Sequence, residues 1–228
     1  GDRNAICTGD IVAYCADPTE TALLFAEKGY PCIAGNCEYQ LLQNAKDCGC
    51  GFEAGSACDH LAAGWWPYLS RTIGAGAQEA LSDLPDIGSF VHHDRRYVVI
   101  HGGVTDISRF LWPSSPDRAF AEEFAAVEAA IGPVDGIVAG HSGIAFQRLV
   151  NGRQWINAGA IGVPPHDGRP QTRYVVLKDG EATIHRLSYD QVRAHARMVA
   201  AGLCQGYHET LLTGIWPSEE VLPEVLRR

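Results

Sequence analysis

The chain has 228 residues, of which 46% are apolar and 20% are charged. This length fits one domain, predicted over 1–228, and the composition supports a sizeable core and excludes a largely disordered chain. The formal net charge of −9, without any basic stripe, argues against binding to a nucleic acid polymer. No apolar run approaches the ~20 residues that a membrane span needs, and no signal-peptide pattern opens the sequence. We therefore expect a cytoplasmic protein with reduced thiols and no membrane partner.

The first part of the chain alternates short apolar runs with helical patterns, which is typical of a largely parallel sheet. One helix has a clear start at Asp17-Pro18 and a clear stop at Gly29. In chain order, the predicted elements are strands at 4–8 and 31–34 flanking that helix, a Gly- and Cys-rich loop at 47–56, helices near 58–69 and 78–84, strands at 87–91 and 97–100, a helix at 119–131 and a strand at 136–139.

The pattern changes after residue 139 to short strands separated by hairpin turns. Asn151-Gly152 and Asp179-Gly180 are the turn signals. The strands that they separate are predicted at 145–150, 153–157, 174–178 and 183–187. A helical tail is predicted from about residue 190. The sequence therefore predicts an α/β domain with a mixed sheet, parallel early and antiparallel late, and helices on its outer faces.

Four polar residues come directly after predicted strands, where α/β proteins build their sites. They are Asp10, Asn36, His101 and His141, and each has a glycine beside it that allows a sharp turn. Taken singly, each is more readily explained as an ordinary turn or loop residue. Taken together, one carboxylate, one amide oxygen and two imidazoles form a mixed ligand set suited to Mn, Fe or Zn.

These four positions also carry a family resemblance. The segments 9–12, 35–38, 101–103 and 140–142 resemble four of the five signature blocks of the calcineurin-like metallophosphoesterases. Residues 156–162 resemble the segment INPGSVG of their small bacterial branch, which includes YfcE-like phosphodiesterases and relatives of diadenosine tetraphosphatase. Residues 9–18 resemble the GDIVGYGPDP of the same branch. The similarity covers about residues 5–189.

The resemblance implies a four-layer α/β/β/α sandwich with mixed sheets and two metal ions. It implies that Asp10 bridges the two ions and that the other three residues of the set complete the second ion's shell. Two-metal phosphoesterases generate a hydroxide and hold the phosphoryl oxygens in this way. By the same resemblance, Asn157 in the INPGSVG-like segment and His166 in the following loop are predicted to contact a small phosphorylated substrate.

Three departures from the family pattern affect the first metal site or the group that acts on the leaving group. The opening Asp-x-His block is absent, so the family's first strand and helix are expected to precede this chain. The GNH block ends in Cys37 instead of the histidine that acts on the leaving group, so Cys37 is the predicted catalytic stand-in. The GHTH block ends in Gly143 instead of a metal-binding histidine. The second metal site is therefore predicted to be complete, while the first retains only Asp10.

The eight cysteines leave a further alternative open. No standard zinc spacing is matched by Cys48, Cys50 and Cys58 together with Cys37. The sequence is therefore compatible both with a metal or redox site and with ordinary reduced cysteines. The leading prediction is metal-dependent hydrolysis of a small phosphoester, either a phosphodiester or a nucleotide. The first alternative is a catalytically silent relative that binds metal or nucleotide. The second is a thiol-based redox or metal-handling module.

Overall fold

The computed structural model describes residues 4–228, so residues 1–3 of the predicted domain lie outside the described part. Its helices are α1 (Pro18–Lys28), α2 (Asn36–Leu42), α3 (Ala57–Thr72), α4 (Ala75–Ser82), α5 (Asp117–Ile131), α6 (Gln191–Ala200) and α7 (Tyr207–Thr213), with a short 3-10 turn at Glu224–Leu226. The helical tail predicted from about residue 190 is present as α6 and α7. None of the helices in 4–228 is both long and apolar enough to cross a membrane.

The strands form one five-stranded sheet and one separate hairpin. They are β1 (Gly88–His92), β2 (Arg95–Val99), β3 (Gly136–Ala139), β4 (Phe146–Val150), β5 (Arg153–Asn157), β6 (Thr172–Lys178) and β7 (Glu181–Leu187). The large sheet has the order β1-β2-β3-β5-β4, and β6 pairs with β7. The β2–β3 and β3–β5 pairs are parallel, whereas the two edge pairs are antiparallel. The α/β class with two sheets is confirmed, but antiparallel pairing occurs at both edges and not only late in the chain.

Three of the hairpin turns depend on residues that tolerate positive φ. Asn151 and Gly152 have φ of 50° and 78°, and Asp179 and Gly180 have φ of 52° and 81°. Two consecutive residues with positive φ are typical of the type I′ turn, whose twist matches that of the two strands it connects. His93 and Asp94 turn the β1–β2 hairpin in the same way.

The strands predicted at 4–8 and 31–34 are reduced to a single parallel bridge between Cys7 and Cys32. Cys7 donates its N–H to Pro31 at 2.9 Å and accepts one from Ile33 at 3.3 Å. The pairing stops there because Gly9, with φ of 95°, turns the chain away from the strand direction. The two segments still run side by side, so the residues that follow them emerge close together.

The sequence pattern does not predict the helix α2, because Gly35-Asn36 indicates only the end of a strand. Gly35 caps it, and the carboxylate of Glu38 accepts the Gly35 N–H at 2.8 Å. Glutamate three residues after the cap is a known helix-start signal. Asn36 is therefore the first residue of a helix, and its side chain is held by regular backbone rather than by a loop.

Two apolar clusters hold the fold together. The sheet packs on α5 through fully buried residues such as Val98, Phe124 and Trp155. The other cluster joins α2, α3 and α4 to the helical tail, and it includes Trp65 and Met198. Two of the metal-ligand candidates, His101 and His141, follow β2 and β3, and the other two follow the Cys7–Cys32 bridge.

Candidate metal centre

The structure brings the four predicted ligands together around one point. The Nε2 atom of His101 lies 3.0 Å from Oδ1 of Asn36, 3.1 Å from Nδ1 of His141 and 3.2 Å from Oδ2 of Asp10. Single ligand atoms of Asp10, His101 and His141 all lie within 4.8 Å of one another. The residues come from segments up to 131 positions apart in sequence, so only the fold could assemble them.

The donor set fits a divalent transition metal. Adjacent ligands of an octahedral ion, each about 2.1 Å from it, lie about 3.0 Å apart, close to the spacings seen around His101. The Nε2 atom of His101 can carry at most one hydrogen, yet Oδ1 of Asn36, Oδ2 of Asp10 and Nδ1 of His141 all lie within 3.2 Å of it. Its other nitrogen, Nδ1, lies 2.7 Å from the Thr8 carbonyl, as is usual for a ligating histidine. The His141 Nε2 is buried and has no hydrogen-bond partner.

The pKa shifts of Asp10, His101 and His141 indicate that positive charge is favoured between the candidate ligands. Burial alone would raise the pKa of Asp10, but the charge of His101 and its hydrogen bond lower it to about 2. Burial alone would lower the pKa of His101, but the Asp10 carboxylate raises it to about 9. Burial and the charge of His101 lower the pKa of His141 to about 3. Near neutral pH, the His101 imidazolium therefore lies beside the Asp10 carboxylate and the neutral His141 ring.

Two of the four candidate ligands adopt strained backbone conformations. Asp10 has φ of 58° and His141 has φ of 57°, both in the left-handed region that few non-glycine residues occupy. Each such residue costs on the order of 1–3 kcal/mol, and such residues cluster at functional sites. The strain turns both side chains toward His101.

The Asp10 loop is held from α2. Glu38, fully buried, accepts N–H hydrogen bonds from Asp10 at 2.7 Å and from Val12 at 3.3 Å, in addition to the one from Gly35. The backbone N–H of Cys37 donates to Oδ1 of Asp10 at 3.0 Å. This contact requires a glycine at 35, because a Cβ there would lie 2.1 Å from Oδ1 of Asp10. Burial, then the Asp10 charge, raise the pKa of Glu38 to about 7.

The His141 loop is held by Asn157, one of the two predicted substrate contacts. Its amide donates to the Gly140 carbonyl at 2.6 Å and to the Ser142 hydroxyl at 2.9 Å, and its own Oδ1 accepts the Gly159 N–H at 3.0 Å. Only 1% of Asn157 is exposed. The structure thus gives Asn157 a positioning role beneath the site and offers no open face of it to a substrate.

The second predicted substrate contact, His166, is also engaged inside the protein. Its Nδ1 accepts the backbone N–H of Trp216 at 2.8 Å, so its Nε2 carries the hydrogen and donates to Glu219 at 2.7 Å. Neither ring nitrogen is left for a substrate. In this structure His166 anchors the C-terminal segment that carries Trp216, and its expected contact with a substrate stays a prediction.

Cys37, the predicted catalytic residue, lies beside the ligand cluster but is fully buried. Burial, followed by the charge of Asp10, raises the pKa of its thiol well above the usual range, so it stays protonated. Gly143 stands where the family pattern has a histidine and supplies no ligand. Within residues 4–228, no second cluster of potential metal ligands includes Asp10. The other cluster consists of His195, His208 and Glu209, and it lies on α6 and α7.

The cysteine loop contacts the site through Asn36. Cys48 and Cys50 form a disulfide, contrary to the expected reduced thiols. The Asn36 amide donates to the Cys48 carbonyl at 2.9 Å and lies 3.5 Å from the sulfurs of Cys37 and Cys50. These contacts orient Oδ1 of Asn36 toward His101. No potential metal-ligand group among the described residues includes a cysteine.

A pocket of about 630 Å³, counting the space open to solvent, leads to Asp10 and His141. Its apolar walls include Phe52, Leu61, Phe110, Val163, Trp216 and Val221. The Phe110 ring lies 4.3 Å from the His141 ring, measured between centroids. Small-molecule sites of this kind combine apolar walls with a few polar groups, here the metal-ligand candidates.

Sequence reasoning missed Glu38, Phe110 and Trp216. A capping signal, glycine with glutamate three residues later, could have identified Glu38 as part of the site. The two aromatic residues lie in segments without regular structure, and no local pattern connects them with residues far away in sequence.

Comparisons with known proteins agree with this architecture. The sequence model of the family described as calcineurin-like phosphoesterase matches residues 5–191. A metallophosphoesterase from Sphaerobacter thermophilus superimposes with a TM-score of 0.65 at 22% identity, covering 91% of this chain and 86% of that one. A hypothetical protein from Pyrococcus horikoshii OT3 superimposes with a TM-score of 0.66 at 14% identity, covering 90% and 81%. No match was found among curated proteins.

Proposed function

Because the chain belongs to the calcineurin-like phosphoesterase family, we propose that it hydrolyses a small phosphoester, a phosphodiester or a nucleotide, with the help of a divalent transition metal. The observation that carries the proposal is the convergence of Asp10, Asn36 and His141 on the Nε2 atom of His101 at the end of an open pocket. Family members bind divalent metals, and the group of Asp10, His101 and His141 is the candidate site here.

A divalent ion held by this set supplies Lewis acidity toward a phosphoryl oxygen. The chain's own residues determine how a substrate reaches it. Asp10 and His141 are the ligand candidates that line the pocket, so the phosphoryl group approaches from their side. Asn36 and His101 are buried behind them and complete the ligand set without facing the substrate. The apolar walls limit water around the reacting group, which strengthens electrostatic interactions there.

The catalytically silent relative is the second candidate, and one observation favours it. Family members use two ions, whereas Cys37 and Gly143 stand where two of the family's histidines would be. A protein with one ion could bind a phosphorylated ligand at this site without turning it over. Both candidates require metal at the same four residues, so turnover is what separates them.

The test is hydrolysis of aryl and alkyl phosphodiesters with added manganese, together with direct measurement of bound manganese. We expect His101→Ala to abolish both metal binding and metal-dependent hydrolysis. His60→Ala is the matched control, because His60 is an exposed residue of α3 outside the site. Hydrolysis that survives His101→Ala would remove this site from the mechanism. Bound manganese without any hydrolysis would favour the silent relative.

A further inference from the structure

The pocket walls indicate which substrates the site can take. Mostly apolar and aromatic side chains line the space next to Asp10 and His141, among them the rings of Phe52, Phe110 and Trp216 and those of two tyrosines, Tyr14 and Tyr207. Phe52 and Phe110 are stacked, with centroids 5.8 Å apart and planes 24° apart. Aromatic rings at these spacings favour a further flat apolar group over a negatively charged one, because their faces carry partial negative charge.

No lysine or arginine of residues 4–228 lines this pocket. Arg227 lines an adjoining cavity instead, where its side chain donates to the carbonyls of Leu222 and Glu220. With a net charge of −9, the protein as a whole also gives no attraction to polyanions. A substrate with several phosphates would place charges against these walls without partners, which is costly.

The Trp216 wall is rigidly held. Its indole N–H donates to the Pro164 carbonyl at 2.7 Å, and its backbone N–H donates to His166, which is itself bound to Glu219. Trp216 and Val221 both lie beyond residue 191, where the match to the family model ends. This part of the pocket is therefore supplied by a segment that the family pattern does not describe.

We propose that the substrate is a phosphoester with one phosphate and a flat, apolar leaving group, which occupies the space between Phe110 and Trp216. This inference rests on the proposed function for its chemistry, but its binding preference can be measured without turnover. Phe110 and Trp216 are the specificity-determining residues. A dinucleoside polyphosphate is the substrate class that these walls disfavour.

The test compares methyl phenyl phosphate with methyl 2-naphthyl phosphate, whose leaving groups have similar acidity but different apolar area. Burying the additional ring should raise kcat/KM about tenfold for the manganese-loaded protein. Trp216→Ala and Phe110→Ala should each reduce this preference to about twofold, while Trp216→Phe should retain most of it. Val192→Ala is the matched control, because Val192 is an exposed apolar residue of α6.

Binding of the non-hydrolysable naphthylmethylphosphonate and methylphosphonate, measured by calorimetry with manganese bound, separates the two proposals. The inference is supported if the naphthyl compound binds more tightly and Trp216→Ala abolishes this difference, even when no ester is hydrolysed. Absence of hydrolysis alone would contradict only the proposed function. Equal affinity for the two phosphonates, or a kcat/KM for a dinucleoside polyphosphate above that for the naphthyl ester, would overturn the inference. Circular dichroism checks that each variant is folded.

Discussion

The carboxylate of Glu38 accepts the backbone N–H of Asp10 at 2.7 Å, so an acid on α2 fixes the conformation of the acid that faces the metal site. It also accepts hydrogen bonds from Val12 and Gly35, and all of these donors lie in the loops that meet at the site. Glu38 therefore determines the position of Asp10 without being one of the candidate ligands.

Glu38→Ala should weaken manganese binding by about 10–100-fold, the usual effect of removing a group that orients a metal ligand. Glu38→Gln should lose less, because its amide keeps one oxygen that can accept. Calorimetric titration with manganese measures both changes. Glu20→Ala is the control, since Glu20 is exposed on α1. Unchanged affinity in Glu38→Ala would show that the Asp10 loop holds its conformation unaided.

His166→Ala should lower the stability of the protein without affecting the metal. The substitution removes the acceptor of the part-buried Trp216 N–H, a loss that costs about 1–3 kcal/mol, and it also removes the hydrogen bond to the solvent-accessible Glu219. Thermal unfolding should show the loss, and manganese affinity should stay within twofold of wild type. His60→Ala again serves as the control. A tenfold fall in manganese affinity would mean that His166 acts on the ligand cluster.

The double substitution Cys48→Ser with Cys50→Ser should lower manganese affinity by about tenfold, because it loosens the loop whose carbonyl orients the Asn36 amide. Reducing the wild-type disulfide should have the same direction of effect. Cys204→Ser is the matched control, since Cys204 is an exposed free cysteine. If neither the double substitution nor reduction changes the manganese affinity, the loop does not orient the Asn36 amide and contributes only packing.

Cys37→His restores the imidazole that the family pattern has at this position. It should raise hydrolysis of alkyl phosphodiesters more than that of aryl ones, because poor leaving groups depend most on protonation, an effect of about 10²–10⁴-fold. Because Cys37 is fully buried, the larger ring should also cost about 1–3 kcal/mol of stability. Rates for a matched alkyl and aryl pair, with thermal unfolding alongside, measure both effects. An equal gain for the two esters would argue against a leaving-group role at this position.

The sequence by itself determined the α/β class, the hairpins and the four candidate ligands. These depend on local signals: Asn151-Gly152 can form its turn from its own backbone preferences, and a glycine beside His101 or His141 marks a strand end wherever the strand lies. Hydrophobic periodicity placed most helices for the same reason, since it reports which face of a segment is buried. The family resemblance then identified these strand ends as one site.

Only the tertiary structure decided what surrounds the ligands. Glu38 and Asp10 are 28 residues apart, and His166 and Glu219 are 53 apart, so no local pattern connects the members of either pair. The partners of Asn157 and His166 could not be predicted for this reason: both lie near the site in the family pattern, but only the structure shows that their hydrogen bonds are made inside the protein. The pocket wall of Trp216 depends on how the C-terminal segment packs, which long-range contacts alone determine.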